Sequence, residues 1–219
     1  MPKELLPVIN KPLIQYAVEE AIDAGCDTLI FITGKNKRAI EEYFNKNSDL
    51  ELALEKAKKY KQLDIVRNII PKNVECIFVH QSQQLGLGHA IMCAEGVVGD
   101  EPFLVLLPDD FLLTDGVSAS KGLVDVYDRT QNPQLSVMEV NGPNISNYGV
   151  VEVQKGGDQV LGVIEKPNYK DATSNLASIG RYLLVPKIFD ILRIQKAGYG
   201  GEIQLADALN SIAVSKTLG

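Results

Sequence analysis

The chain has 219 residues, 45% of them apolar and 23% charged, and a formal net charge of −6. That length supports one large domain with a real core, and the acidic balance argues against a nucleic-acid surface, which calls for clustered Lys and Arg. No apolar run reaches the roughly 18 to 20 residues that span a bilayer, and Cys26, Cys76 and Cys93 lack the number and spacing of a disulfide framework or zinc site. A cytoplasmic protein without membrane or nucleic-acid partners is expected, with the cysteines as small buried hydrophobes in a reducing compartment.

In chain order, M-P-K-E-L-L-P-V-I-N-K-P-L is an opening loop, and Asn10 with Pro12 reads as a helix start. Leu13, Ile14, Ala17, Val18, Ala21 and Ile22 form an apolar helical stripe ending at Gly25. T-L-I-F-I-T (28–33) is a buried strand, 38–44 a short helix, and 48–69 one or two helices that look inserted. The lysines between Lys56 and Lys61 read as a solvated helix face. A strand at 74–80 then runs into Q-S-Q-Q-L-G-L-G-H-A. This glycine-rich turn opens a helix, where free backbone N–H groups and the missing Cβ atoms of Gly86 and Gly88 suit an anion or the edge of a base. Tight packing of helix on strand explains the same glycines.

Phe103 to Asp110, F-L-V-L-L-P-D-D, is an unbroken apolar run that stops on two carboxylates. A parallel strand covered by helices on both faces has this continuous pattern, which is the reading expected here, and ligand sites of open α/β sheets lie beyond the carboxyl ends of such strands. Two carboxylates there suit Mg²⁺, which commonly couples protein acids to substrate phosphates; the plainer reading is an acidic turn. Further on, 118–129 is a helix and 135–140 a strand. Y-G-V-V-E-V, K-G-G-D and V-L-G-V-I-E-K-P make a hairpin, 176–184 is another strand, and helices at 186–193 and around I-Q-L-A-D-A-L-N complete the chain. Residues 1–142 read as a nucleotide-binding style half and 143–219 as a mixed β half of one domain.

P-K-E-L-L-P-V with K-P-L-I-Q-Y, Q-x4-G-L-G-H-A, V-V-G-D-E-P with L-P-D, Y-G-V-V, E-K-P, G-R-Y and G-E-I-Q-L-x-D span nearly the whole chain. In this order they resemble the sugar-nucleotide pyrophosphorylases, specifically the bacterial UTP–glucose-1-phosphate uridylyltransferases. The resemblance implies a Rossmann-like three-layer α/β/α fold with a mixed sheet. It also implies transfer of UMP from UTP to glucose 1-phosphate, giving UDP-glucose and pyrophosphate, with Mg²⁺ as cofactor. By resemblance, Lys3 contacts nucleotide phosphates, Asp109 holds Mg²⁺ with Asp207 as a second acid, and Lys166 meets the sugar phosphate. Gln81, Gly86, Leu87 and Gly88 belong to the base-reading loop, while Gly149, Glu165 and Tyr182 belong to the sugar pocket. His89 is a helix-start residue and not a general base, because the attacking phosphate is already ionised. A homo-oligomer, dimer or tetramer, is implied as well.

The resembling family also carries a G-x-G-T-R loop after a first, central strand, which belongs before Met1, and a segment after Thr217. Neither is in this sequence, so the sheet is expected to lack its central strand and the 219-residue chain to turn over poorly. A non-catalytic nucleotide-sugar binder, or a thymidylyl- or adenylyl-specific relative, is the alternative. A dinucleotide oxidoreductase is disfavoured, since Gly86 and Gly88 lack the third glycine of that fingerprint.

Overall fold

The computed structural model describes every residue except Met1, Asn36, residues 215–217 and Gly219, and the side chain of Tyr199. Met1 and Thr217, where the family resemblance breaks off, thus lie outside the described residues. A 3₁₀ turn at Lys3–Leu5 leads into a short hairpin of β1 (Pro7–Val8) and β2 (Lys11–Pro12), followed by α1 (Leu13–Asp23). Asn10 is therefore a hairpin-turn residue rather than a helix cap. Ile9 beside it has φ of 60°, and Pro12 occupies the N-cap without any side-chain cap bond.

Next come β3 (Thr28–Thr33), α2 (Arg38–Phe44), α3 (Ser48–Lys56), α4 (Tyr60–Arg67) and β4 (Glu75–His80). Between Lys56 and Lys61 the helix breaks at Lys58, which has φ of 54°, so Lys58 and Lys59 occupy a turn, with Lys56 ending α3 and Lys61 in α4, instead of all lying on one helix face. Arg67 donates to Glu51 at 2.8 Å and ties α4 back to α3. Beyond β4 lie α5 (Leu87–Cys93), α6 (Glu95–Val98), β5 (Phe103–Leu106), α7 (Ala119–Thr130) and β6 (Gln134–Glu139). Ser118 caps α7 by accepting from the Lys121 amide. The chain continues through β7 (Gly149–Val153), β8 (Val160–Glu165), β9 (Leu176–Leu184), α8 (Lys187–Ile194) and α9 (Leu205–Ala213).

Strands β3 and β4 pair in parallel, whereas β5, β6 and β7 pair antiparallel with β9, and β8 with β7. Parallel and antiparallel pairs are thus both present, in separate sheets among the described residues, but the orientation expected of Phe103–Leu106 was wrong. Its described ladder is antiparallel, because the apolar run records burial and carries no information about direction.

Alternation along β5 and β9 sets the layers. Phe103, Val105, Tyr182 and Leu184 pack with α5, α8 and α9, while Leu106 packs with α1 and Arg181 reaches Glu20 of α1. Helices therefore cover both faces, since successive strand residues point to opposite sides. Between β3 and β5 no strand is present among the described residues. A cavity of about 900 Å³ lies there, lined by all of β3 and β5 together with residues of α1 and α5. Among the described residues no helix is long and apolar enough to cross a membrane.

Candidate functional site

Beyond the end of β5, the Lys3 ammonium donates to Asp109 Oδ2 at 2.7 Å. Burial pushes the Asp109 carboxyl up, but the hydrogen bond and charge of Lys3 outweigh it and hold the group below its ordinary value. Lys3 is raised in turn, chiefly by its hydrogen bond to Asp109. Both side chains are at least half exposed, so the pair adds little to stability and stays accessible to a ligand. Lys37, just after β3, pairs with Glu4, and its charge also reaches Asp109. The ends of β3 and β5 therefore lie on one side of the molecule.

Asp110, next in sequence, has the opposite electrostatics. Burial raises its carboxyl first and the Asp109 charge raises it further. Its carboxylate lies over Gly180, whose φ of 64° and occupied Cβ position together require glycine. Beneath this turn Arg181, 2% exposed, donates to Glu20 through Nε and Nη2. It also donates to the main-chain oxygens of Leu107 and Asp110, each at 3.0 Å. Ser120 adds its Oγ–H and N–H to Glu20. A buried Arg–Glu pair thereby fixes the turn that carries both acids. Sequence reasoning quoted Arg181 only within G-R-Y and passed over Glu20, because a pairing 161 positions apart leaves no local signal.

The glycine-rich turn is engaged differently from the sequence expectation. Gly88 N–H donates to the Ile203 carbonyl at 2.9 Å, and Ile203 N–H to the Leu85 carbonyl at 2.7 Å. A Cβ on Gly86 would come within 2.8 Å of Glu202 Cβ, and one on Gly88 within 2.7 Å of the Ile203 oxygen. The absent Cβ atoms thus admit the Glu202–Ile203 segment, and the Gly88 amide expected to be free for an anion is paired. Leu87 packs against the core shared with α8 and α9.

Gln81 Nε2 lies 3.3 Å from the Gly86 carbonyl and 2.9 Å from His89 Nδ1. With nitrogen toward that carbonyl, the amide donates to both, and His89 carries its proton on Nε2. His89, set aside in the sequence as a helix-start residue, therefore orients the Gln81 amide. Its position eight residues after Gln81 was the available signal.

On the other side, Gly149 pairs in register with Glu165 across β7 and β8. A Cβ on Gly149 would sit 3.3 Å from Glu165 Oε2. Lys166 follows with φ of 43°, its amide donating to the Tyr148 carbonyl and its ammonium 3.9 Å from Glu165. A non-glycine residue at positive φ is uncommon. Tyr182 is a core residue, 7% exposed, whose hydroxyl lies 2.9 Å from Ser178 Oγ. Burial raises its phenol, the Ser178 hydrogen bond lowers it, and the charges of Glu165 and Asp110 raise it further. Asp207 is exposed on α9, with its carboxylate 3.2 Å from the Cβ position of Gly198.

Among the described residues no group of three or more His, Cys, Asp or Glu is placed to hold a metal alone. An ionised, half-exposed Asp109 nevertheless fits a hard cation that completes its shell from substrate phosphates and water.

The family model described as nucleotidyl transferase matches residues 1–217. The chain is 44% identical over 215 residues to a UTP–glucose-1-phosphate uridylyltransferase from Pseudomonas aeruginosa, covering 95% of this chain and 76% of that protein. A crystal structure of UDP-glucose pyrophosphorylase complexed with UDP-glucose superimposes with a TM-score of 0.87 at 41% identity, covering 99% of this chain and 80% of the other. A UTP-bound enzyme from Acinetobacter baumannii gives 0.89 at 37% identity, covering 100% and 77%. The ordered motifs, the mixed three-layer fold and these likenesses agree: the chain belongs to the nucleotidyl transferase family, among the UTP–glucose-1-phosphate uridylyltransferases.

Proposed function

We propose that the chain's residues serve UMP transfer from UTP to glucose 1-phosphate, with the acceptor phosphate oxygen attacking the α-phosphorus as pyrophosphate leaves. The observation that carries this reading is the Lys3–Asp109 pair beyond β5, a cation and a low-pKa carboxylate at 2.7 Å in an accessible position. Such a reaction needs alignment and charge neutralisation rather than a base. Lys3 takes the nucleotide phosphates and Lys166 the phosphate of the sugar. Gln81, oriented by His89, reads the pyrimidine edge, with the main chain around Gly86, Leu87 and Gly88 as the wall of the base site. Glu165 accepts from glucose hydroxyls above Gly149, and buried Tyr182 supports that floor. When bound, Mg²⁺ supplies neutralisation of the charge on the α-phosphate, with Asp109 as ligand and Asp207 as the second acid.

Residues 1–142 act as the nucleotide half and 143–219 as the sugar half, in a cytoplasmic homo-oligomer. Product formation from UTP, glucose 1-phosphate and Mg²⁺ tests the assignment: Asp109→Asn lowers kcat/KM by roughly 10² to 10³. An unchanged value removes Asp109 from the site.

The open slot beside β5 favours a second reading for the 219 residues on their own, nucleotide-sugar binding with little turnover. Calorimetry decides it. Binding of UDP-glucose without product formation supports this reading, and a kcat on the order of 1 to 10³ s⁻¹ refutes it.

A further inference from the structure

Residues 195–204 connect α8 to α9, and within them 198–204, G-Y-G-G-E-I-Q, touch two separate parts of the site. One contact is with the base loop. Ile203 N–H donates to the Leu85 carbonyl at 2.7 Å and the Ile203 carbonyl accepts from Gly88 N–H at 2.9 Å, so a single residue holds both sides of Gly86. The Cβ position of Gly86 lies 2.8 Å from Glu202 Cβ. With no side chain between these backbones, a displacement of Gly86 passes to Glu202 and Ile203 without slack.

The other contact is with Asp207. The Glu202 carbonyl accepts from Gly198 N–H at 2.8 Å and the Gly198 carbonyl from Gly201 N–H at 3.1 Å, which closes 198–202 into a tight loop. Gly200 and Gly201, with φ of 71° and 75°, permit that loop. The Cβ position of Gly198 is 3.2 Å from Asp207 Oδ2. Asp207 stands in the first turn of α9, directly after the segment, so its carboxylate is placed from both directions.

One hydrogen bond of the segment is unmade in the arrangement described. Gln195 Nε2 donates to the Gln204 carbonyl at 2.9 Å, but Gln195 Oε1 is buried and has no hydrogen-bond partner among the described residues. A buried amide oxygen without a donor is costly, so a small shift that brings an N–H to it is favoured. Glu202 and Asp207 are exposed, and their side chains oppose no such shift.

We propose that residues 198–204 are a positioning strap: a pyrimidine seated against Gly86 sets the place of Glu202 and Ile203, and through the Gly198–Glu202 loop it sets the place of the Asp207 carboxylate for a divalent cation. The inference rests on the assignment of Gln81–Gly88 to the base and of Asp207 to the metal. Such coupling is reciprocal, so the cation changes the affinity for the base by the same factor as the base changes that for the cation.

Uridine and Mn²⁺, titrated into the 219-residue chain, test the strap without turnover. Uridine has no phosphate to offer the ion, so its effect on the ion passes through the protein. Mn²⁺ binding, followed by its paramagnetic resonance signal, is expected to tighten about fivefold at saturating uridine. The amide signals of Gly198 and Asp207 are expected to shift as uridine binds. Glu202→Gly removes the Cβ that bears on Gly86; each ligand's separate affinity is expected to stay within about twofold, while the coupling factor falls to about one. Glu202→Gln keeps that Cβ and is expected to keep the coupling. Coupling that is absent although both ligands bind, or equal in the parent and Glu202→Gly, overturns the strap and leaves the site assignments standing. Uridine that shifts no signal within 81–88, or Mn²⁺ affinity unchanged by Asp207→Asn, removes the corresponding assignment and the strap with it.

Discussion

The strands β9 and β3 differ in what surrounds them more than in what they contain. β9, L-A-S-I-G-R-Y-L-L, is paired with β5, β6 and β7, and six consecutive residues from Ile179 to Leu184 are buried, an arginine among them. β3, T-L-I-F-I-T, has the more continuously apolar sequence, yet only Leu29 is buried and its outer edge faces the slot. Burial follows neighbours rather than hydropathy. The β7–β8–β9 side, closed by α8 and α9, has a finished core of fully buried side chains such as Leu184, Ile188 and Leu209. The β3–β4 side is held by a smaller cluster around Ile14, Ile40 and Phe44.

The contrast is broken most severely at Arg181. Arg181→Ala leaves Glu20 buried without its partner, and a loss of about 3–5 kcal/mol in unfolding free energy is expected by denaturant titration. The double variant Arg181→Met with Glu20→Leu is expected to recover most of that loss, because it removes both charges. A single variant as stable as the parent would show that the pair does not anchor β9 to α1.

Next in size is a matched pair of truncations. Leu192→Ala, at a position with no exposure, is expected to cost about 2–5 kcal/mol. Ile30→Ala, on the slot, is expected to cost under about 1.5 kcal/mol, since its side chain is already half open to the cavity. Equal costs in urea titrations would mean that the slot is closed in solution.

Much of this was legible in the sequence for local reasons. The order of strands and helices follows from apolar runs punctuated by glycine and proline, and the helix near 118–129 and the 149–165 hairpin declare themselves within a few residues. Other features need the third dimension. The antiparallel placement of β5 depends on β9, some 75 positions later. Gly86 and Gly88 state only that no Cβ fits, and a protein segment or a ligand satisfies that equally. Glu20 reads as an ordinary helix-surface acid until Arg181 and Ser120 are brought to it.

A smaller effect is expected at His89, which bonds the Gln81 amide just after β4. His89→Ala frees the Gln81 amide to rotate, and the loss of about one neutral hydrogen bond predicts roughly fivefold weaker UDP binding by calorimetry. CDP, whose ring nitrogen accepts where that of UDP donates, is expected to lose less, so the ratio between the two narrows. An unchanged ratio would detach His89 from base reading.

The smallest effect separates Asp109 from Asp110 by pH. Asp109 is depressed, so its contribution is present above the ordinary aspartate value and is lost as pH falls through the lower folded one. Asp110 is raised, chiefly by burial and then by Asp109, so its charged form is disfavoured in the folded state. Its sign is opposite: stability is lost as pH rises from the ordinary aspartate value through the raised one. Asp110→Asn keeps the shape over Gly180 and removes that penalty. Melting temperatures are therefore expected to be slightly higher for Asp110→Asn than for the parent at pH 7, and to converge below pH 3. Asp109→Asn, which leaves Lys3 without its acceptor, is expected to show no such gain at pH 7. If the two variants shift in the same direction at pH 7, Lys3 and burial do not divide the acid pair as the geometry indicates.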